Sequence, residues 1–302
     1  MKIYVSRWSL RKSIEQRRLT LSDLPVFVTE QGFLGLELTD REIGGRDAAL
    51  ENLRRQCHVH GCGLIIDINC DLTLVDPAAR EREIDHVVTW LARAARAGVA
   101  TVRITLGGQS FSIQKLLKSG SKQARGPMAN GGLKKLTAGY PVRRLSHRLR
   151  TLLPVRARDL DAKIDRAINA LQVITPRAEE LGVRMGIENH WGISTRPAWI
   201  LRVVNAIDSP FLGACPDFGN FPRSIEPYAG LAKLLPKAVH VQAKSWRFDA
   251  EGEETTLDYA RCLALVREYG YAGPITVEYE GNGDDLADCL RTKNLIERHW
   301  GL

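Results

Sequence analysis

Eight short apolar runs alternate with helix-like stretches along the chain, and this alternation is the strongest constraint on its fold. The runs are rich in β-branched residues and span 3–9, 33–39, 63–70, 100–107, 183–190, 211–220, 238–246 and 274–281. In the stretch 160–174, Ile164, Ile168 and Leu171 share one helical face. Strands that alternate with helices predict a parallel sheet, and eight of them predict a (β/α)8 TIM barrel. The 302 residues are then a single α/β domain spanning 1–302.

The positive charge of the chain is concentrated in one segment. The net charge is +8, from 43 Lys+Arg and 35 Asp+Glu. Residues 111–158 contain 12 Lys and Arg but no Asp or Glu, so the remainder has 31 basic and 35 acidic residues, about −4. This segment lacks a sustained apolar period, which predicts an insertion between the fourth strand and the fourth helix, on the catalytic rim. A lid that binds an anionic substrate, a solvated loop and a contact between copies of the chain are the alternatives for its role.

The cysteines and the N-terminal segment favour a cytoplasmic protein. The chain has six cysteines, its first residues lack the apolar core of a signal peptide, and no run of eighteen apolar residues occurs. We therefore expect reduced thiols and no membrane partner.

Strand parity predicts which side chains enter the barrel, because successive residues of a strand point to opposite faces. In the last four runs, apolar residues alternate with polar ones, so the polar set faces inward. Glu188, Asp217, His240 and Glu278 then lie towards the carboxyl ends of these strands, where barrel enzymes have their active sites. In the first four runs, the same rule places inside Trp8, Glu37, Asp67, Asn69, Arg103 and Thr105.

Three carboxylates and one imidazole on adjacent strands predict a metal site. Burying several carboxylates together is costly unless a cation neutralises them. The oxygen-rich set Glu188, Asp217, His240 and Glu278 suits Mn²⁺ or Mg²⁺, with Co²⁺, Fe²⁺ or Zn²⁺ as alternatives. Ordinary strand-end salt bridges are the competing explanation for any one of these residues, but four with matching parity favour the metal site.

Other polar and aromatic residues near the rim are candidates for binding substrate. His190 and Lys244 point inward and could hydrogen-bond substrate hydroxyls, whereas Glu280 could cap a loop or bind substrate. Trp191 and Trp246, together with Phe218, could pack against the apolar face of a polyol.

The sequence resembles the sugar phosphate isomerase/epimerase family, the xylose isomerase-like TIM barrels. The resemblance covers nearly the whole chain outside the insertion. The motifs that carry it are GIENH (186–190), CPDFGNF (215–221), VHVQAKSW (239–246) and GYAGPITVEYEG (270–281). It implies that Glu188, Asp217, His240 and Glu278 hold one divalent metal. It further implies that Glu188 and Glu278 transfer protons on opposite faces of a sugar, sugar phosphate or related polyol.

Two departures from the family pattern keep other reactions open. Asn220 stands where epimerases of the family often have a histidine, and HVQA replaces a stretch resembling HVKD. Asn220 is then a candidate substrate-binding residue. A metal-dependent dehydratase or lyase acting on a polyol or keto acid is the first alternative. An AP-endonuclease-like nuclease or a nucleic-acid-binding barrel is the second and less favoured one, because a three-metal cluster needs additional histidines. A small-molecule substrate is the expected partner, and a homo-oligomer is left open.

Overall fold

Eight parallel strands, formed by the residues that the structure describes, close into a barrel and confirm the predicted TIM-barrel fold. The structure is a computed structural model, and it describes residues 1–45, 47–108 and 157–301. The strands pair in the order β6-β5-β4-β3-β2-β1-β8-β7. Their bounds are β1 Lys2–Ser6, β2 Gly35–Thr39, β3 Gly63–Ile68, β4 Thr101–Ile104, β5 Arg184–Glu188, β6 Leu212–Cys215, β7 Val241–Ser245 and β8 Pro274–Tyr279.

Helices surround the strands, and the longer ones are amphipathic. In the described ranges they are α1 Arg11–Arg17, α2 Leu24–Glu30, α3 Asp40–Ile43, α4 Asp47–His60, α5 Pro77–Arg96, α6 Ala157–Leu181, α7 Pro197–Ile207, α8 Pro227–Leu234, α9 Tyr259–Glu268 and α10 Asp285–Trp300. Short 3-10 segments lie at Arg7–Leu10, Gly192–Ser194 and Leu235–Lys237. In α5, Val87, Trp90, Leu91 and Ala94 are buried at helical spacing, and the Asp76 side chain caps the first turn.

The core lies between the strands and the helices. Outward-facing strand residues such as Val102, Ile187, Val241 and Val277 are fully buried and belong to one hydrophobic cluster. The inward face is polar instead, since buried Glu, Asp, Arg, His, Gln and Lys side chains come from successive strands. The division follows from the alternation of side chains along a strand.

The barrel closes at a seam between β6 and β7 that has little regular pairing. Two isolated parallel bridges join the strands, Ala214 with Ala238 and Asp217 with Gln242. The Gln242 amide donates to the Pro216 carbonyl at 2.9 Å, and the Phe218 amide donates to the Gln242 carbonyl at 3.1 Å. Pro216 has no N–H to donate, which helps to explain why β6 ends at Cys215.

Tyr4 fills the end of the barrel opposite the carboxyl ends of the strands. A Cβ added to Gly35 would lie 2.5 Å from the Tyr4 ring, and one added to Gly63 would lie 1.9 Å from its hydroxyl. Only glycine leaves room for the aromatic ring at these two positions. Barrel enzymes have their active sites at the opposite, carboxyl-terminal end.

Three further expectations bear on the fold. The basic insertion over 111–158 lies outside the described residues, except for its last two, which begin α6. Among the described residues, no helix is both long and apolar enough to cross a membrane. All six cysteines are free and buried.

Candidate active site

Three acidic residues from β5, β8 and the segment after β6 come together inside the barrel. Glu188 is the last residue of β5, Asp217 follows β6 by two residues, and Glu278 lies in β8. Each offers a carboxylate oxygen, and these atoms all lie within 4.8 Å of one another. All three side chains are buried. They are the carboxylates that strand parity selected from the sequence.

Asn189 holds the segment of Asp217 in place. Its side-chain Nδ2 donates to the Asp217 carbonyl at 3.0 Å, and its Oδ1 accepts from the Asp217 amide at 2.7 Å. The Asp217 Oδ1 atom accepts from the Gly219 amide at 2.7 Å. Asp217 Oδ2 is buried without a hydrogen-bond donor among the described residues. Oδ1 is thus fixed by the backbone, whereas Oδ2 is held only by an ion pair with Lys244 Nζ at 3.4 Å.

Arg103, in β4, connects three buried carboxylates from β2, β3 and β5. Its guanidinium pairs with Glu188, lies 2.7 Å from an Asp67 oxygen and lies 3.1 Å from a Glu37 oxygen. The other Glu188 oxygen accepts from Asn220 Nδ2 at 3.0 Å. Because both oxygens of Glu188 have fixed partners, the carboxylate is held in one orientation.

Lys244 brings a second buried cation to the carboxylate group. Its Nζ lies 3.1 Å from Glu278 Oε2, 3.4 Å from Asp217 Oδ2 and 3.5 Å from Glu280 Oε1. It also donates to Asn220 Oδ1 at 3.0 Å. Burial lowers the pKa of Lys244, but the surrounding carboxylates outweigh this effect and raise it well above its usual value. Lys244 is therefore a permanent ammonium within the site.

Burial gives the acidic groups unequal proton affinities. It raises the pKa of Glu188 to about 7 and that of Glu37 to about 8, although Arg103 opposes both shifts. Burial likewise raises the pKa of Asp217 well above its usual value. Burial also acts on Glu278, but the Lys244 ammonium and Arg103 outweigh it and lower the pKa of that carboxyl to about 2. Glu278 is thus ionised at neutral pH, while Glu188 can exchange a proton there.

His240 is not brought together with the three carboxylates, in contrast to the sequence-based expectation. Its Nε2 lies 2.8 Å from Thr276 Oγ1 and 3.4 Å from Glu37 Oε2, and its Nδ1 lies 3.3 Å from Cys215 Sγ. Burial lowers the pKa of His240 to about 3, so the ring is neutral. Parity placed the side chain on the correct face, but parity does not determine its depth in the barrel.

The remaining predicted site residues lie around the carboxylate group. His190 Nδ1 is 3.5 Å from Glu188 Oε2, and the His190 and Trp191 rings have centroids 4.0 Å apart. Trp246 packs against Gly219, where an added Cβ would lie 2.1 Å from the indole ring. Asn220 bridges Glu188 and Lys244, and the Glu280 side chain is 19% exposed, so it reaches the rim.

Several residues of the site had been given no role from the sequence. Glu37, Asp67 and Arg103 were expected to face inward, but their shared ion pairs depend on the register between strands. Asn189 had no signal beyond its place in the GIENH motif, because it works through the backbone of another strand. Gln242 has the expected inward parity, and its Nε2 donates to Glu37 Oε1 at 2.8 Å.

A sequence model described as the xylose isomerase-like TIM barrel matches residues 26–293. The chain belongs to this family. One curated relative is a 3-oxo-isoapionate decarboxylase of Pectobacterium atrosepticum, which is 28% identical over 137 residues, or 45% of this chain and 46% of the relative. The chain spans about half the length of the curated relatives it matches.

Several solved structures share this fold and cover almost the whole chain. A D-tagatose 3-epimerase-like protein has a TM-score of 0.70 and 16% identity, covering 100% of this chain and 97% of its own. An L-ribulose 3-epimerase has a TM-score of 0.69 and 14% identity, covering 100% and 96%. A Mycobacterium smegmatis barrel in complex with magnesium has a TM-score of 0.61 and 18% identity, covering 93% and 88%. At these identities the likeness concerns the fold.

The charges inside this xylose isomerase-like barrel fit a divalent cation. Five buried carboxylates face two buried cations, which leaves an excess of three negative charges if all are ionised. The carboxylates are Glu37, Asp67, Glu188, Asp217 and Glu278, and the cations are Arg103 and Lys244. A divalent ion would reduce the excess to one. Asp217 Oδ2 and Glu278 Oε2 are buried and accept no hydrogen bond from the described residues. Both contact the Lys244 ammonium, and buried carboxylate oxygens of this kind are suitable ligands for a hard cation.

The raised pKa values predict that the metal-free protein loses stability as the pH rises above neutral. Glu37 binds a proton up to about pH 8 in the folded chain, compared with 4.5 for an ordinary Glu, so the folded state holds more protons between these values. By linkage, this stabilisation is lost as the pH rises through the folded pKa. Between pH 6.5 and 8, we expect the Glu37 contribution to fall by about 1.5 kcal/mol.

Urea unfolding of chelator-treated protein at several pH values would measure this loss. Glu37→Gln is the matched control, because it keeps the side-chain shape but cannot titrate, and it should reduce the slope. An equal slope in both proteins would contradict the assignment to Glu37.

Proposed function

We propose that this protein is a divalent-metal-dependent isomerase or epimerase of a sugar, a sugar phosphate or a related polyol. The observation that carries the proposal is the grouping of Glu188, Asp217 and Glu278 oxygens within 4.8 Å, in a buried site. Membership of the xylose isomerase-like family and the fold shared with sugar 3-epimerases support it. The reaction class is proton transfer next to a carbonyl group, through an enediolate.

Glu188, Asp217 and Glu278 would hold the metal, for which Mn²⁺ and Mg²⁺ are favoured over Co²⁺, Fe²⁺ and Zn²⁺. Their oxygens suit hard cations, and a structural neighbour was solved in complex with magnesium. When bound, such an ion stabilises negative charge that develops on substrate oxygens.

Glu278 and Glu188 would move the proton. The ionised Glu278 carboxylate accepts the proton from the carbon next to the carbonyl, and the C–H electron pair passes into the enediolate. Glu188, on the other side of the group, would then return a proton. Return to the same carbon from the opposite face gives the epimer, whereas return to the former carbonyl carbon gives the isomer.

The residues around the carboxylates would bind and orient the substrate. The Lys244 ammonium and the His190 ring lie beside Glu278 and Glu188, where they could hydrogen-bond substrate oxygens. Asn220 and Glu280 fix Lys244 and add further polar contacts. Trp191 and Trp246 would cover the apolar face of the sugar ring or chain.

Solvent-deuterium incorporation tests the proposal directly. The protein is incubated in D₂O with a panel of ketoses and ketose phosphates, and the products are followed by NMR. We expect deuterium at the carbon next to the carbonyl, together with an epimer or an isomer. Chelator-treated protein should show neither, and added Mn²⁺ or Mg²⁺ should restore both. Full activity after complete metal removal would refute the metal-dependent reaction.

A decarboxylase of a 3-oxo sugar acid is the second candidate function. The decarboxylase from Pectobacterium atrosepticum is a curated relative of this chain, and the buried Lys244 ammonium lies beside the carboxylate group. In this reaction the C–C bond to the carboxylate carbon breaks and CO₂ leaves. The electron pair of that bond stays with the substrate and forms an enediolate. A proton from Glu188 would then be added to the carbon that lost CO₂. CO₂ release from a 3-oxo acid without ketose turnover would favour this candidate.

A further inference from the structure

The side chain of Gln242 has a buried acceptor that no described group satisfies. Gln242 is fully buried in the barrel interior. Its Nε2 donates to Glu37 Oε1 at 2.8 Å, whereas its Oε1 has no hydrogen-bond partner among the described residues. Leaving a buried polar atom unsatisfied costs about 1–3 kcal/mol, so such an atom in a folded protein calls for an explanation.

The contacts of Glu37 determine that the Nε2 end of the Gln242 amide faces Glu37 and the Oε1 end faces away from it. Arg103 Nε lies 3.1 Å from Glu37 Oε1, which keeps this carboxylate in place. A proton on Glu37 would lie on Oε2, because Oε1 faces the Arg103 N–H, so turning the amide around would bring two acceptor oxygens together and remove the hydrogen bond. Because the donor end faces Glu37, the acceptor end is directed away from it.

Strand register places Gln242 next to the residues that would hold the metal. Gln242 is bridged to Asp217 across the seam between β6 and β7. In β8 it pairs with Thr276, two residues before Glu278 on the same face. His240 precedes Gln242 by two residues and lies deeper, against Thr276 and Cys215. The position of β7 at the level of Asp217 is therefore occupied by Gln242 and not by His240.

We propose that Gln242 Oε1 is the fourth protein ligand of the metal site. The proposal rests on the metal-binding part of the proposed function. Lys244, the other inward residue of β7 near the carboxylates, has only donors and cannot act as a ligand while it is protonated. Three carboxylates and one amide oxygen form an all-oxygen set. Such a set favours Mg²⁺ and Mn²⁺, whereas an imidazole in its place would favour softer ions such as Zn²⁺ and Co²⁺.

Metal affinity, measured without any assay of activity, tests the proposal. Mn²⁺ binding is measured by the EPR signal of the free ion and Zn²⁺ binding by competition with a chromophoric chelator. We expect Gln242→Leu to weaken Mn²⁺ binding by about 10-fold or more, as loss of metal-site contacts generally does. Gln242→His should shift the ratio of Zn²⁺ to Mn²⁺ affinity by about 10-fold or more towards Zn²⁺.

Matched variants keep the outcome interpretable. Thr276→Val alters an equally buried neighbour that contacts His240, and it should leave Mn²⁺ affinity unchanged. If Gln242→Leu does not fold, Gln242→Glu retains the oxygen and should bind Mn²⁺ more tightly than the wild type. Wild-type Mn²⁺ affinity in Gln242→Leu, with binding lost in Asp217→Asn, would overturn the role of Gln242 alone. Absence of binding in the wild-type protein would overturn the metal site itself.

Discussion

Replacing Glu188 with glutamine is expected to reduce turnover about 10³-fold, within the range typical of lost general acid–base catalysis. The substitution keeps the shape of the side chain and the contact with Asn220 but removes the carboxyl group proposed to return the proton. Glu278→Gln should cause a loss of similar size, because it removes the carboxylate that accepts the first proton. Steady-state kinetics on the substrate found by the deuterium assay would measure both.

The two variants should differ in their exchange behaviour. If Glu278 removes the proton and Glu188 returns one, Glu188→Gln should still incorporate deuterium into recovered substrate without forming product. Starting from the same substrate, Glu278→Gln should neither incorporate deuterium nor form product. Glu280→Gln serves as a comparison at the rim, where we expect a rise in KM and a smaller change in kcat. Wild-type turnover in Glu188→Gln would exclude the assigned proton transfer.

Replacing Arg103 with methionine is expected to destabilise the protein by about 3–5 kcal/mol, the usual cost of removing one partner from a buried charge network. Its guanidinium faces Glu37, Asp67 and Glu188, all of which are buried. Without it, these carboxylates must either remain charged without a nearby counter-ion or take up protons. Urea unfolding of the metal-free protein at neutral pH would measure the loss.

A surface substitution controls for the change from arginine to methionine. Arg177 pairs with Glu180 at an exposed position in α6, and Arg177→Met should therefore change stability little. We also expect lower pH to narrow the difference between Arg103→Met and the wild type, because protonation removes the unpaired charges. If Arg103→Met were as stable as Arg177→Met, the network would not depend on the guanidinium.

Much of the fold and part of the site followed from alternation along single strands. Alternating apolar and polar residues in the last four runs placed Glu188, Asp217 and Glu278 on the inner face, and their oxygens meet there. His240 obeyed the same rule yet lies deeper than they do. Alternation along a strand separates inward-facing from outward-facing side chains. It does not show how far along the barrel axis an inward-facing side chain lies.

The rest of the site depends on how strands align with one another. Arg103 meets Asp67 because the two residues are paired in register between β3 and β4. On its other side, Arg103 is paired with Gly186 of β5 and reaches Glu188, two residues further along that strand. Asn189 acts by binding the backbone of Asp217, which no side-chain pattern announces. Register results from the closure of the whole barrel, and a single strand does not carry this information.

The sparsely paired seam between β6 and β7 has a consequence for the motions of the barrel. Every other pair of neighbouring strands is joined by a run of paired residues, whereas isolated bridges join these two. We therefore expect transient opening of the barrel wall to occur at this seam. Asp217 lies on one side of the seam and Gln242 on the other, so an ion bound by both would hold the β6 and β7 sides together. Metal binding would then favour the closed seam, and opening of the seam would weaken metal binding.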